Sequence, residues 1–133
     1  MSIRRRYDHI DLRVRDLAAA RPFYETLLPA LGFTHDVTVE GWLQFEAPGV
    51  DGATEFFGVT ESPRHLANEC RIAFWADSTG EVDRLAAVAV QANARNVEGP
   101  AHETPQLRET IYYAVFFEDP SGNRLEICYR TTE

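Results

Sequence analysis

Histidine, arginine and glutamate side chains at alternating positions are the groups in this sequence that could bind a ligand or transfer a proton. Residues 7–14 and 70–77 alternate apolar and polar side chains, which is typical of half-buried strands. Moving the first segment forward by 62 positions lays His9 on Arg71 and apolar residues on apolar residues. Glu126 lies between leucine and isoleucine in another such segment, so it points away from the apolar face. The sequence therefore predicts that these three side chains occupy polar faces of strands.

The chemistry of these groups allows several roles. His9 could be a metal ligand, a general base, or a histidine that is merely hydrogen-bonded across the sheet. Glu126 could bind a metal together with His9 or form an ion pair with Arg71. We expect the ion pair, because a guanidinium stays charged and needs a partner. Glu55 aligns with Glu126 when the last strands of the two halves are compared. It is either a third ligand or an exposed carboxylate at a strand end.

Aromatic residues on the same segments could wall a binding cavity or belong to the core. A wall of aromatic side chains suits an apolar or aromatic ligand. The candidates for this role are Trp75, Tyr112, Phe116 and Phe57.

The composition is that of an acidic globular protein, and it narrows the classes of partner. The chain has 133 residues, of which 44% are hydrophobic and 26% are charged, and its formal net charge is −8. This charge argues against nucleic acid as a partner. No apolar run approaches the ~20 residues that cross a bilayer, so no membrane partner is expected. The two cysteines lack metal-type spacing and no signal peptide is evident, so we expect a cytoplasmic location.

The order of predicted elements repeats once along the chain. A strand at 7–14 precedes an amphipathic helix, for which Asp16 is one candidate N-cap, whereas Pro22 favours a later start around Arg21. Short strands follow at 35–40, 42–47 and 53–60. The second half contains a strand at 70–77, a helix, a short strand near 94–99, a loop over 99–108, and two strands joined by the turn "DPSG". We therefore predict an α+β fold of two tandem βαβββ modules in a single domain over 1–133. Module one spans about 5–62 and module two about 68–131.

This arrangement resembles the vicinal oxygen chelate superfamily, which includes glyoxalases, bleomycin resistance proteins and extradiol dioxygenases. The resemblance is carried by "DHIDLRVRDLAAARPFYETLLPALGF" (8–33) and by "YYAVFFEDPSGNRLEICYR" (112–130), the second being the more specific. It implies a curved mixed sheet around a cavity, lined by the first and last strands of each module. It also implies a homodimer, a small-molecule ligand and, in many members, a divalent metal such as Zn, Ni, Mn or Fe.

The resemblance implies metal ligands at His9, Glu126 and Glu55. With a small register error, the last-strand position of the first module would fall on Phe57 instead of Glu55. The fourth position falls on Arg71, where the family has a histidine, and a guanidinium has no lone pair to offer. Its charge about 4 Å from a dication would cost roughly 8 kcal/mol at an effective dielectric near 20, and less if the side chain turns away. The sequence therefore predicts a degenerate metal site, with no cofactor certain.

Three functions remain open at this stage. The first is a metal-dependent lyase, isomerase or dioxygenase that uses His9, Glu55 and Glu126. The second is a non-catalytic protein that sequesters a ligand, as resistance proteins do. The third, which we favour, binds a small, anionic, oxygen-rich molecule through Arg71. Here lyase or isomerase chemistry would use His9 or Glu126 as the catalytic proton shuttle.

Overall fold

The computed structural model describes residues 6–104 and 109–132. Its elements in chain order are β1 (His9–Val14), α1 (Leu17–Ala30), β2 (His35–Asp36), β3 (Trp42–Pro48), a short 3₁₀ turn (Val50–Gly52), β4 (Thr54–Glu61), β5 (Arg71–Trp75), α2 (Thr79–Gln91), β6 (Arg95–His102), β7 (Glu109–Glu118) and β8 (Arg124–Thr132). No helix in these described ranges is long and apolar enough to cross a membrane.

The strands form two four-stranded mixed sheets with the same internal order. Sheet one has the order β1-β4-β3-β2 and sheet two the order β5-β8-β7-β6. In each sheet the first strand of the module runs parallel to the last, and the other neighbours are antiparallel. This confirms the predicted α+β fold with two βαβββ units. The two sheets are not joined through β1 and β5, however, which each form a sheet edge. The single curved sheet expected from the resemblance would require β1 and β5 to pair, and this pairing is absent from the described residues.

Two boundaries differ from the sequence prediction. The second strand is only two residues long, His35–Asp36, where six were expected. In the other module, β6 continues to His102, so the first part of the predicted loop over 99–108 is strand. Register shifts between β6 and β7 let the pairing continue past Pro100, which cannot donate a backbone hydrogen bond. Residues 105–108 of the predicted loop lie outside the described ranges.

Side-chain caps fix where the helices begin. The Asp16 carboxylate accepts a hydrogen bond from the backbone N–H of Ala19 at 3.1 Å, so Asp16 is the N-cap and α1 begins at Leu17. The later start around Arg21, expected from Pro22, is wrong, because Pro22 lies within the helix. Ser78 does the same for Glu81 at 3.0 Å at the start of α2. After α1 the chain turns at Gly32, whose φ of 104° lies in the region that glycine adopts without steric cost.

One hydrophobic core joins the two modules. The helix-facing sides of both sheets contribute to it, and Phe57 of sheet one contacts Phe74 of sheet two with ring centroids 5.6 Å apart. At the edge of this core the buried Tyr24 hydroxyl donates to the carboxylate of Asp119 at 2.6 Å. Asn123 donates to the same carboxylate and to the backbone carbonyl of Arg13. We call Tyr24, Asp119 and Asn123 the module latch, because they tie the first module to the turn between β7 and β8.

Candidate functional site

Strand alternation divides each sheet into a helix-facing side and an outer face. In β8, Leu125 and Ile127 are fully buried in the core, so Glu126 and Cys128 lie on the other side. Arg71 in β5 shares this side, because its neighbour Ile72 packs against the core. The outer face of sheet two therefore carries two of the three side chains that the sequence singled out.

Glu126 is the buried polar group of this face. Only 6% of its surface is exposed, and its Oε2 accepts a hydrogen bond of 2.5 Å from the hydroxyl of Tyr112. Burial, followed by the hydrogen bond to Glu126, raises the pKa of Tyr112 well above its usual value. Burial and then the carboxylate of Glu126 also raise the pKa of the Cys128 thiol to about 11. The three side chains form a cluster in which Glu126 is the acceptor.

The predicted ion pair between Arg71 and Glu126 is not formed, and that prediction was wrong. Parallel pairing of β5 with β8 sets Arg71 opposite Arg124 and sets Ala73 opposite Glu126. The side chains of Arg71 and Glu126 are therefore diagonal neighbours and not directly opposite each other. The Glu126 carboxylate already accepts a hydrogen bond from the Tyr112 hydroxyl. The guanidinium of Arg71 lies instead over the ring of Phe116, with Cζ 4.8 Å from the ring centroid.

The predicted aromatic walls divide between the outer face and the core. Trp75 lies on the outer face with 63% of its surface exposed, and Arg130 stacks on its ring at 4.8 Å. Tyr112 and Phe116 lie on the same face and are half-buried. Phe57 lies on the opposite side of its sheet, in the hydrophobic core. Its ring contacts those of Tyr24, Phe33 and Phe74, so the prediction that it lines a cavity wall was wrong.

Sheet one presents His9 on its own outer face. The imidazole ring stacks on Phe56 with centroids 4.4 Å apart, and Nδ1 is hydrogen-bonded to Asp8 at 2.8 Å. Its side chain is 42% exposed. Within the described ranges, no hydrogen bond, ion pair or ring contact links His9 to Arg71 or Glu126 in the same chain.

Glu55 points to the opposite side of sheet one from His9. It alternates with Phe56, which stacks on His9, and so shares the side of the buried Phe57. The strand pairing shows which residue replaces Glu126 in the first module. Gly58 lies opposite Asp11, as Glu126 lies opposite Ala73, and Asp11 is the residue that the repeat lays on Ala73. The first module thus has a glycine where the second has a carboxylate.

The described residues do not fit a family-type metal centre within one chain. They contain no group of three histidine, cysteine, aspartate or glutamate side chains arranged to hold a metal ion. Of the predicted ligands, Glu55 faces away from His9, and Arg71 can neither donate a lone pair nor tolerate a neighbouring cation.

A shallow cavity of about 210 Å³ opens on the outer face of sheet two beside Arg71. It is lined by Arg71, Asn96, Glu98, Phe116, Phe117, Glu118 and Arg124. Sequence reasoning missed Arg124 and Cys128, although both follow from Glu126 by counting two residues along β8 in either direction. The site therefore combines a buried carboxylate, a phenol that holds it, and a neighbouring cleft with two guanidinium groups.

Comparison with known proteins identifies the family. Residues 6–127 match the Glyoxalase/Bleomycin resistance protein/Dioxygenase superfamily, and the chain belongs to it. A glyoxalase/bleomycin resistance protein from Albidiferax ferrireducens T118 has a similar structure, with 24% identity and a TM-score of 0.77, covering 93% of this chain and 98% of that one. A glyoxalase/dioxygenase from Nostoc punctiforme is 25% identical, with a TM-score of 0.66, over 96% and 92% of the two chains.

The same fold occurs in a protein that binds an antibiotic. An antibiotic binding protein from Streptomyces sp. CB03234 is 23% identical to this chain and has a TM-score of 0.62, covering 98% and 99% of the two chains. No curated protein sequence matches this one.

Proposed function

We propose that this protein binds a small, anionic, oxygen-rich molecule on the outer face of sheet two and acts on it as a lyase or isomerase without a family-type metal. The observation that carries the proposal is the position of Arg71. Its guanidinium lies on the same face as the buried Glu126 carboxylate, at a position where the family resemblance implies a ligand histidine. A cation that cannot be neutralised and a buried carboxylate can bind an anion and accept a proton.

The chemistry that this arrangement supports is proton abstraction next to a carbonyl group. Glu126 takes a proton from the carbon beside the carbonyl, and the electrons of the C–H bond move into an enolate. Arg71 stabilises the charge on the enolate oxygen. Return of the proton to a different atom completes an isomerisation, whereas loss of a neighbouring leaving group completes a lyase reaction. Tyr112 holds the carboxylate in place through its 2.5 Å hydrogen bond.

We further propose that the site is completed by a second copy of the chain. β1 and β5 are edge strands whose free backbone groups can pair with another sheet. Trp75 and His9 are exposed on the two outer faces. Pairing of β1 from one copy with β5 of another would bring His9 over the face that carries Glu126, as a second proton shuttle. The protein would then be a homodimer.

A non-catalytic binding role is the second candidate. The exposed ring of Trp75, with Arg130 stacked on it, offers a flat surface to a planar ligand. The likeness to an antibiotic binding protein is compatible with such a role. We also propose a cytoplasmic location, because both cysteines are free thiols, as is usual in reducing compartments.

Hydrogen–deuterium exchange into a small oxo acid tests the catalytic proposal. The purified, metal-stripped protein is incubated with pyruvate in D₂O, and loss of the methyl proton signal is followed by NMR. We expect exchange that Glu126→Gln abolishes and that Glu55→Gln, an exposed carboxylate on the other side of sheet one, leaves unchanged. Pyruvate binding without exchange would favour the binding role. Tight stoichiometric binding of Zn²⁺, Ni²⁺ or Mn²⁺ by the unmodified protein would contradict the metal-free site.

Mixing two inactive variants tests the shared site. His9→Ala retains Glu126, and Glu126→Gln retains His9, so a dimer of one copy of each contains one intact site. Random reassociation should recover about a quarter of the full activity, since half of the dimers are mixed and each has one of two sites intact. No recovery, in a protein that light scattering shows to be dimeric, would place both residues in one chain's site.

A further inference from the structure

Two arginines stand directly opposite each other in sheet two. Arg71 in β5 and Arg124 in β8 are paired across the parallel ladder, so both side chains leave the sheet on the outer face. Like charges at directly opposed positions destabilise a sheet unless something lies between them to neutralise them. Both side chains are exposed, so solvent screens their repulsion, and a bound anion would neutralise it directly.

Neither guanidinium is satisfied by the protein. In the described ranges, Arg71 has only the ring of Phe116 as a partner, and Arg124 has no hydrogen bond or ion pair. Other arginines do have partners: Arg95 donates to the carbonyl of Pro120 at 2.9 Å, and Arg15 to that of Ser121 at 3.0 Å. Each guanidinium carries five N–H donors in a planar fork that suits carboxylate and phosphate oxygens.

In the described ranges, the neighbouring carboxylates form no ion pair with either arginine. Glu118 is opposite Arg124 on β7, but its Oε1 accepts a hydrogen bond of 2.9 Å from Asn96. Glu98 lines the same cavity from β6, on the far side of β7 from the two arginines. The arginine side of the cavity of about 210 Å³ is therefore the positive side, and Phe116 beneath Arg71 keeps that guanidinium in place.

We infer that Arg71 and Arg124 together form an oxyanion-binding site that anchors the phosphate or carboxylate group of the substrate. This inference rests on the proposed function and adds Arg124 to it. Arg124 and Glu126 are two residues apart on β8, a rise of about 7 Å. The anchored group therefore lies about five to six bonds of an extended chain from the carbon that Glu126 deprotonates. The substrate class is a short-chain oxo or hydroxy acid with a second anionic group at its far end.

Binding of simple anions to the full-length protein tests the site. Inorganic phosphate and succinate are titrated at constant ionic strength, and binding is followed through the arginine side-chain N–H signals by NMR. Phosphate should saturate and shift two such signals, and Arg71→Gln or Arg124→Gln should each weaken binding about tenfold or more, as expected for loss of charged hydrogen bonds. Arg84→Gln makes the same charge change on the surface of α2 and should leave binding within about twofold. Glu98→Gln should strengthen it.

The outcomes separate this inference from the proposed function. If Arg124→Gln behaves like Arg84→Gln while Arg71→Gln weakens binding, Arg124 is not part of the site and the inference is overturned, with Arg71 retained. If neither anion saturates, the inference also fails, whereas Glu126-dependent exchange into pyruvate would still uphold the proposed chemistry. If succinate saturates the protein and phosphate does not, the two arginines still form an anion-binding site, and its ligand is a carboxylate. Unchanged thermal unfolding shows that each variant is folded.

Discussion

Removing one hydroxyl from the module latch should destabilise the protein by an amount that the structure allows us to estimate. In Tyr24→Phe the buried carboxylate of Asp119 loses the hydrogen bond of 2.6 Å from the tyrosine hydroxyl. A hydrogen bond to a charged group contributes about 1.5–3 kcal/mol. Asp119 keeps three N–H donors, from the backbones of Ser121 and Asn123 and from the Asn123 side chain, so it is not left unpaired. We therefore expect a loss of about 2 kcal/mol.

Tyr113→Phe is the matched control for this substitution. Its hydroxyl also donates to an aspartate at 2.6 Å, but the partner Asp83 is exposed to solvent, so water replaces the lost bond. Urea unfolding followed by circular dichroism measures both variants. With a slope of about 2 kcal/mol per molar urea, Tyr24→Phe should lower the midpoint by about 1 M, and Tyr113→Phe should not change it measurably.

The pH dependence gives an independent check on the same residue. Burial, and then the charge of Asp119, raise the pKa of Tyr24 well above 10 in the folded protein. The unfolded state therefore releases this proton first, and the contribution of Tyr24 to stability is complete below about pH 10 and lost as the pH rises above it. Tyr24→Phe should reduce this alkaline loss. Equal midpoints for the two variants, or an unchanged alkaline profile, would refute the assignment of Tyr24 and Asp119 as a stabilising latch.

Three further predictions concern the outer faces. Cys128 should resist iodoacetamide until the pH approaches about 11, and Glu126→Gln should shift its alkylation to lower pH, because the carboxylate raises that pKa; a pH–rate profile in a background lacking the other cysteine measures this. Arg71→His should raise affinity for Zn²⁺, Ni²⁺ or Mn²⁺, since it replaces a cation with a ligand; equal calorimetric affinities would contradict the role given to Arg71. Gly58→Ala should cost about 1–3 kcal/mol in urea unfolding, because its Cβ would lie 2.4 Å from the Trp42 indole nitrogen.

The sequence was sufficient to predict the order and type of the secondary-structure elements. It was insufficient to predict which residues of neighbouring strands stand opposite each other. Alternation alone identified β1, β5 and β8, whereas the start of α1 was left between Asp16 and Arg21. Glu55, the predicted counterpart of Glu126 in the first module, is three residues from the true counterpart Gly58, and any odd shift along a strand moves a side chain to the other face. Glu55 and Phe57 therefore share the helix-facing side, and Phe56 faces His9.

The prediction that Arg71 pairs with Glu126 was wrong for a different reason. Which residues of β5 and β8 stand opposite each other depends on how distant segments pair, and no local pattern specifies that pairing. A guanidinium and a carboxylate on one face were therefore assumed to meet. In the structure, Tyr112 from the next strand reaches Glu126, and Arg71 stands opposite another arginine. The pattern predicted the face correctly, and long-range pairing decided the contacts.

The two modules, although built alike, cannot contribute equally to chemistry. In the first module the position that matches Glu126 is Gly58, and the indole of Trp42 lies so close that a side chain there would have to displace it. Of the residues predicted for the site, its outer face retains only His9, which stacks on Phe56. In the second module the carboxylate is buried, held by Tyr112, and adjoins the arginine cleft. A second copy that joins unlike modules would therefore add an aromatic and imidazole cover to an anion-binding floor, which neither module provides by itself.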